Sequence, residues 1–166
     1  MTSDVNSEPG VLETDSIVVR TMREDDLNRV VAIDATASGR RRPQYFELMI
    51  QRALKDAALQ VSLVAELEGR VTGFLIASLY YGEYGLVEPS ASIDAIGVDP
   101  ERRGQRVGRA LMRQLRLNLG ALHIQTLRTE VAWHDFELLG FFKREGFGPA
   151  ERVCLECPVD PTAPLE

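Results

Sequence analysis

Residues 93–111 read IDAIGVDPERRGQRVGRAL, and the pattern of this stretch changes halfway along it. The first part predicts a strand over residues 92–98, and the second part predicts the start of a helix over residues 105–119. Glycines in the turn let backbone N–H groups face a ligand, and the first N–H groups of a helix lack internal partners. Because the helix dipole is positive there, the turn is predicted to bind phosphate. Four arginines add charge-assisted hydrogen bonds to an anion: Arg102, Arg103, Arg106 and Arg109.

Apolar periodicity predicts further strands and helices on both sides of this stretch. Predicted strands cover residues 17–19, 60–67, 71–80, 92–98, 126–132 and 152–157. Predicted helices cover residues 27–38, 43–57, 105–119 and 135–145. The order βααβββαβαβ joins an antiparallel run to a βαβ unit, which is typical of an α/β (α+β) domain whose mixed central sheet is flanked by helices.

The 166 residues are 45% hydrophobic and 27% charged, which predicts one globular domain. We place this domain at residues 17–157, between predicted flexible tails at 1–16 and 158–166. Residues 17–150 hold 17 acidic and 18 basic side chains, so the net charge of −6 comes from the two ends and the body has no general attraction to nucleic acid. Because no apolar run is long enough to span a membrane, no signal peptide is recognisable and the two cysteines need no pairing, we expect a cytoplasmic protein.

The phosphate-binding turn does not match the two commonest phosphate loops, because the P-loop lysine and the Gly-x-Gly-x-x-Gly pattern are both absent. A strand followed by Asp-Pro-x-x-Arg-Gly-x-x-Val-Gly-x-x-Leu at residues 99–111 resembles instead the acetyl-CoA-binding motif of the Gcn5-related N-acetyltransferase (GNAT) superfamily. The resemblance follows the element order of the whole predicted domain and implies a GNAT-like fold. It implies that the strand backbone holds the pantetheine arm and acetyl carbonyl, and that the turn holds the CoA pyrophosphate. The corresponding coenzyme-binding residues are Ile96, Gly97, Val98, Arg103, Gly104, Gln105, Arg106, Val107, Gly108 and Arg109.

Arg106 stands where this family usually has a glycine. An arginine keeps its backbone N–H and adds a cation beside phosphate, so we expect binding to persist, while the geometry of the turn stays open. The alternative is that residues 103–108 form only a basic helix cap.

A second stretch, residues 129–147, reads TEVAWHDFELLGFFKREGF and supports the resemblance. Asp135 lies where many members have an asparagine near the coenzyme, and Phe142 lies where many have a tyrosine that protonates the leaving thiolate. A phenyl ring cannot donate a proton. Water, another residue, unassisted departure of the thiolate and weak activity therefore all stay open.

Acetyl transfer to an amine needs a neutral nucleophile and therefore a group that takes its proton. Glu130 is our first candidate, because it resembles the general base of the ribosomal-protein N-terminal acetyltransferase branch and lies twelve residues before Phe142. Asp94 is the second candidate, because strict strand alternation would place it on one face with Ile96 and Val98. For each carboxylate the alternative is a solvated or ion-paired strand residue.

Aromatic residues precede the motif strand and could receive a cationic amine: Tyr80, Tyr81 and Tyr84. Packing at the strand end explains them about as well. The run Arg40-Arg41-Arg42 could meet an acidic acceptor or the 3′-phosphate of CoA, or be a solvated surface run. Cys154 and Cys157 have CxxC spacing but no second pair, so no metal site is expected.

These patterns together predict an acetyl-CoA-dependent N-acetyltransferase that needs no metal and transfers acetyl directly to a primary amine of a small molecule or a protein N-terminus. The alternative is a non-catalytic acyl-CoA-binding or regulatory domain, which the residues at 106 and 142 favour. A nucleic-acid-binding module is disfavoured by the neutral body and by the lack of aromatics among the arginines. We expect no nucleic-acid or membrane partner, and the sequence is compatible with a homodimer. It does not identify the acceptor amine.

Overall fold

The computed structural model of the protein describes residues 17–55, 61–82 and 87–159. The strands in these ranges are β1 (Val18–Thr21), β2 (Leu63–Leu67), β3 (Arg70–Tyr80), β4 (Ser90–Val98) and β5 (Thr126–Thr129). The α-helices in them are α1 (Leu27–Ser38), α2 (Pro43–Lys55), α3 (Val107–Ala121) and α4 (Phe136–Arg144). The chain forms two compact units that divide after Glu130, so the first unit holds the strands with α1 to α3 and the second holds α4.

The first unit is built on one mixed sheet with the strand order β1-β2-β3-β4-β5. Strands β1 to β4 pair antiparallel with their neighbours, and β4 pairs with β5 in parallel. Leu67 pairs with Arg70 across a two-residue turn, and Glu68 and Gly69 in this turn both have positive φ angles of 54° and 73°. Such turns match the twist of the strands they join, which is why the predicted hairpin forms here. The predicted mixed sheet is confirmed.

One face of the sheet is covered by α1 and α2. Their apolar side chains pack on β2 and β3 in a single buried cluster, in which the Phe46 and Phe74 rings meet edge to face at 5.5 Å. Helix α1 ends as expected, because Gly39 takes the left-handed conformation and its N–H donates to the Ala35 carbonyl over 2.9 Å. On this face, a local cap sets where α1 ends, and apolar contacts between residues distant in the sequence hold the helices on the sheet.

The opposite face is covered by α3, and the close approach of this helix depends on Gly73. A Cβ atom on Gly73 would lie 2.6 Å from Val107 Cγ1 and 3.3 Å from Leu111 Cδ1. Because these two residues belong to the first turns of α3, the missing side chain on β3 sets where the helix begins relative to the sheet. Helices thus cover both faces, as the sequence predicts.

Most predicted bounds differ from the structure by a few residues, and three differences concern the site or the sheet. The strand predicted over 126–132 ends at Thr129, and the helix predicted from residue 105 begins at Val107. The strand predicted over 152–157 is wrong: this segment is irregular, and its alternating side chains Val153 and Leu155 are 83% and 87% exposed. Alternation marks a strand only where a neighbouring strand and a buried face are available, and no strand in the described ranges pairs with this segment. Within those ranges no helix has the length and apolar character needed to cross a membrane.

Candidate active site

The turn between β4 and α3 is held by hydrogen bonds that start at Asp99. The Asp99 N–H donates to the Thr72 carbonyl over 2.8 Å, which fixes the end of β4 against β3. The Asp99 carboxylate accepts the Glu101 N–H over 3.1 Å, and the backbone carbonyl of Asp99 accepts the Arg102 N–H over 2.8 Å. One 3-10 turn, Pro100–Arg102, follows directly. The connection between β4 and α3 is therefore held in one conformation, with Asp99 as the N-cap of its 3-10 turn.

The first turn of α3 presents unpaired donors beside this connection. The earliest hydrogen bond of the helix runs from the Ala110 N–H to the Arg106 carbonyl over 2.9 Å. Within the described ranges nothing accepts a hydrogen bond from the N–H groups of Val107, Gly108 or Arg109. A helix N-terminus with free donors and flanking arginines is suited to bind the oxygens of a phosphate. The predicted coenzyme turn has the donor set that a diphosphate needs.

Arg106 lies in the left-handed region of backbone space, with φ 65° and ψ 14°. This conformation is easy for glycine and strained for a residue with a Cβ atom, which explains why the resembling family places glycine here. The structure keeps the bend with arginine in place. The side chain is exposed and makes no hydrogen bond or ion pair with any described residue. The bend that glycine usually provides is thus retained with arginine, and the backbone at Arg106 is strained.

The pairing of β5 with β4 ends before β4 itself ends. Their pairing runs from Ser90 with Thr126 to Ile93 with Thr129, where the Thr129 hydroxyl also donates to the Ile93 carbonyl over 3.1 Å. Strand β4 continues to Val98, and over residues 94–98 no strand in the described ranges pairs with its outer edge. An unpaired strand edge offers backbone N–H and C=O groups to an extended ligand that contains amides.

The candidate residues Ile96, Gly97 and Val98 line this unpaired segment. Ile96 and Val98 pair with Leu75 and Gly73, so their side chains project from the face that α3 covers. Gly97 lies on the other face, where a Cβ atom would be 2.5 Å from Phe74 Cε1. The close contact with Phe74 requires glycine at this position.

Asp94 does not share a face with Ile96 and Val98, and the alternation that predicted this is wrong. Strand β4 contains a bulge at this residue: Ile76 pairs with Ala95, while the next residue of β3, Ala77, pairs with Ile93. The extra residue is Asp94. A bulge resets the alternation and bends the strand. Asp94 therefore projects from the face that α1 and α2 cover.

The Asp94 carboxylate is half-buried between two serines. It accepts a hydrogen bond from the Ser78 hydroxyl of β3, and the Ser92 side chain on its own strand also lowers its pKa. Burial raises the pKa of Asp94 above its ordinary value, and the hydrogen bonds from Ser78 and Ser92 only partly offset that effect. A carboxyl group with a raised pKa is a stronger base when it is ionised.

Glu130 directly follows the last residue of β5 and is exposed. Because Ile93 and Thr129 form the last paired position, Asp94 and Glu130 are the next residues of the two segments, at the start of the unpaired stretch of β4 (the opening). The structure thus places both predicted carboxylates where the pairing ends. They differ in environment, since only Asp94 is partly buried and hydrogen-bonded.

The predicted acceptor residues are only partly described. Tyr80 and Tyr81 lie at the end of β3 and are 38% and 67% exposed, whereas Tyr84 falls outside the described residues. Arg42 is more than a solvated cation: its guanidinium bonds both carboxylate oxygens of Asp34, at 3.1 and 2.6 Å, and stacks over Tyr45 at 5.0 Å. Arg42 therefore joins α1 to α2.

Two further predicted residues lie in the second unit. Asp135 caps α4, where its carboxylate accepts the Leu138 N–H over 3.0 Å. Phe142 is buried, and its ring lies 5.3 Å from Phe141 and 4.9 Å from Phe147. A cap and a packed aromatic are the structural roles that these residues have within their own unit.

Sequence reasoning missed three residues that contact the site. Ser78 donates a hydrogen bond to Asp94, Ser92 lowers the pKa of Asp94, and Arg29 of α1 forms an ion pair with Asp99 at the turn. Arg29 is 70 residues from Asp99 in the sequence, so no local spacing could have indicated the pair. The serines could have been found from their positions beside Asp94 only if the bulge had been known.

Comparison with known proteins agrees with this geometry. A sequence model described as the acetyltransferase (GNAT) family matches residues 24–147. A ribosomal-protein-alanine N-acetyltransferase from Brucella melitensis biovar Abortus is similar with a TM-score of 0.70 at 15% identity, covering 87% of this chain and 100% of that chain. Ard1 from Thermoplasma volcanium is similar with a TM-score of 0.67 at 25% identity, covering 80% and 82%. An aminoglycoside N-acetyltransferase in complex with CoA has a TM-score of 0.67 at 17% identity, covering 86% and 95%. Since the family match covers most of the chain, the protein belongs to the acetyltransferase (GNAT) family and is an N-acetyltransferase.

Proposed function

We propose that this protein transfers the acetyl group of acetyl-CoA directly to a primary amine of a small molecule or a protein N-terminus. One observation carries the proposal: free N–H donors at the start of α3 lie beside the unpaired outer edge of β4. A diphosphate fits the first feature and an amide-containing arm fits the second. CoA contains both groups in one molecule.

The coenzyme would be held mainly by the backbone. The N–H groups of Val107, Gly108 and Arg109 would bind the diphosphate, and the exposed side chains of Arg106 and Arg109 would add positive charge. The pantetheine arm would follow residues 94–98 and take their outer-edge hydrogen bonds. This arrangement would bring the thioester toward the point where β4 and β5 separate.

The reaction needs a base at that point. The amine nitrogen attacks the acetyl carbon, the C–N bond forms, the C–S bond breaks, and the amine proton must leave. Asp94 would accept this proton, because its carboxylate is partly buried, is hydrogen-bonded by Ser78 and has a raised pKa. Glu130 is the second candidate from the other side of the opening. Since Phe142 has no hydroxyl, the CoA thiolate would take its proton from water.

The acceptor class is proposed from the similar structures and from two exposed tyrosines. Two of the similar structures are named for acetylation of a ribosomal protein and of aminoglycosides, and both kinds of acceptor supply an amine. Exposed Tyr80 and Tyr81, at the end of β3, would offer ring faces to a cationic amine. The alternative raised by the sequence, a domain that binds acyl-CoA without turnover, is one outcome of the test.

Release of free CoA thiol from acetyl-CoA tests the proposal. The protein is mixed with acetyl-CoA and a panel containing peptides with free N-termini, aminoglycosides and polyamines, and the acetylated product is identified by mass. We expect turnover with at least one amine, its loss in Asp94→Asn and lowered turnover in Glu130→Gln. Tight CoA binding without turnover on any amine would favour the binding domain, and absence of CoA binding would refute both.

A further inference from the structure

Helix α1 reaches the coenzyme turn through one arginine. Arg29 Nε donates to the Val71 carbonyl over 2.7 Å, and Arg29 Nη2 forms an ion pair with Asp99 Oδ2. Val71 lies near the start of β3 and Asp99 directly follows β4, and these strand ends are neighbours in the antiparallel pair. The guanidinium therefore binds both strand ends at once.

Asp99 connects Arg29 to the turn. One carboxylate oxygen faces Arg29, and the other accepts the Glu101 N–H over 3.1 Å. The Asp99 N–H and carbonyl bond Thr72 and Arg102, both at 2.8 Å. A displacement of the Asp99 side chain would therefore move the 3-10 turn and the backbone that leads into α3.

We propose that Arg29 is a positioning residue for the coenzyme: through Asp99 it fixes the turn whose N–H groups bind the diphosphate. This inference rests on the proposed function, and it deepens it by naming a residue on α1 that controls the coenzyme site. The geometry requires arginine, because its planar fork donates in two directions at once. A lysine could pair with Asp99 but could not also donate along the Nε direction to Val71.

A second ion pair at the same turn provides the matched control. Arg102 Nη2 lies 3.0 Å from Glu68 Oε2, and the Glu68 side chain is 61% exposed. This pair contacts the turn from the hairpin and does not involve Asp99. Glu68→Gln removes an ion pair from the turn and leaves the Arg29 contacts in place. Exposed pairs of this kind contribute little.

Calorimetry with CoA tests the proposal on the full-length protein. We expect Arg29→Met to weaken CoA binding about 10-fold, because loss of a hydrogen bond to a charged group has an effect of that order. Arg29→Lys should recover part of the affinity, and Glu68→Gln should bind like the wild type. In steady-state assays the loss should raise KM for acetyl-CoA, with a much smaller effect on kcat at saturation. A merely structural role would lower the amount of folded protein without separating KM from kcat.

Amide hydrogen exchange without ligand separates this inference from the proposed function. We expect faster exchange at the bonded N–H groups of Arg102 and Ala110 in Arg29→Met, with no change in Glu68→Gln. If the wild type binds no CoA, the proposed function fails, and the exchange result still decides whether Arg29 holds the turn. A folded Arg29→Met protein with wild-type CoA affinity and unchanged exchange would overturn the inference. Should that variant not fold, Arg29→Lys and Asp99→Asn test the same two contacts.

Discussion

Replacing Arg106 by glycine should make the protein more stable, although glycine usually destabilises a folded chain. Arg106 is the residue directly before α3 and has a φ angle of 65°. Its side chain makes no bond with any described residue, so the substitution removes no visible contact. It also removes a positive charge from the positive end of the helix dipole, which favours the variant.

The magnitude follows from the backbone. The left-handed conformation costs an ordinary residue about 1–2 kcal/mol, and glycine avoids this cost. Against that, the greater freedom of glycine in the unfolded chain costs roughly 0.5–1 kcal/mol. The free energy of unfolding should therefore rise by about 0.5–1 kcal/mol, which corresponds to roughly 1–4 °C in Tm for a protein of this size.

Urea and thermal unfolding of the two proteins measure this difference, with Arg113→Gly as the matched control. Arg113 is an exposed arginine in the interior of α3, so its replacement by glycine should lower stability by about 1 kcal/mol. CoA affinity should survive in Arg106→Gly, because the backbone N–H at this position is retained. If Arg106→Gly were destabilised as much as Arg113→Gly, the strain argument would be refuted. If CoA affinity were abolished, the Arg106 side chain itself would bind phosphate.

Substitutions at three further positions test the site and the packing of α3. Asp94→Asn should lower kcat/KM at neutral pH by about 100-fold, and the wild-type rate should fall as pH drops through a pKa above the ordinary value of 3.8. Burial raises the pKa of Asp94 in the folded state, so at any pH above that pKa the ionised carboxylate destabilises the fold. Asp94→Asn should therefore be more stable than the wild type at neutral pH. The difference in Tm should disappear as the pH falls through the raised pKa toward 3.8. Glu130→Gln should lower turnover and leave CoA affinity nearly unchanged in calorimetry; unaltered turnover would remove Glu130 from the mechanism. Gly73→Ala should lower the free energy of unfolding in urea by about 1–3 kcal/mol and weaken CoA binding, because its Cβ would meet Val107 Cγ1 at 2.6 Å. Gly120→Ala, on the open surface of α3, should be neutral or stabilising. Equal effects of the two alanines would contradict this account of how α3 packs.

The parts of the fold that the sequence predicts correctly are those set by local chemistry. The Gly39 cap ends α1, the Glu68-Gly69 turn forms the hairpin, and the Asp99-Pro100 pair ends β4, each close to its expected position. The wrong predictions depend on distant partners. The strand predicted over 152–157 has suitable alternation but pairs with no described strand. The same limit applies to Arg29, whose partner lies on another element 70 residues away.

The bulge at Asp94 explains why the candidate site departs from simple alternation. It falls immediately after Ile93, where the pairing of β4 with β5 also stops. A single extra residue bends the strand that carries it, so one insertion can both part β4 from β5 and turn the Asp94 carboxylate to the other face. The end of the β4–β5 pairing and the change of face at Asp94 therefore adjoin at one place in the sheet. Neither could be predicted from residues 92–98 alone, because a bulge is defined by the register of two strands.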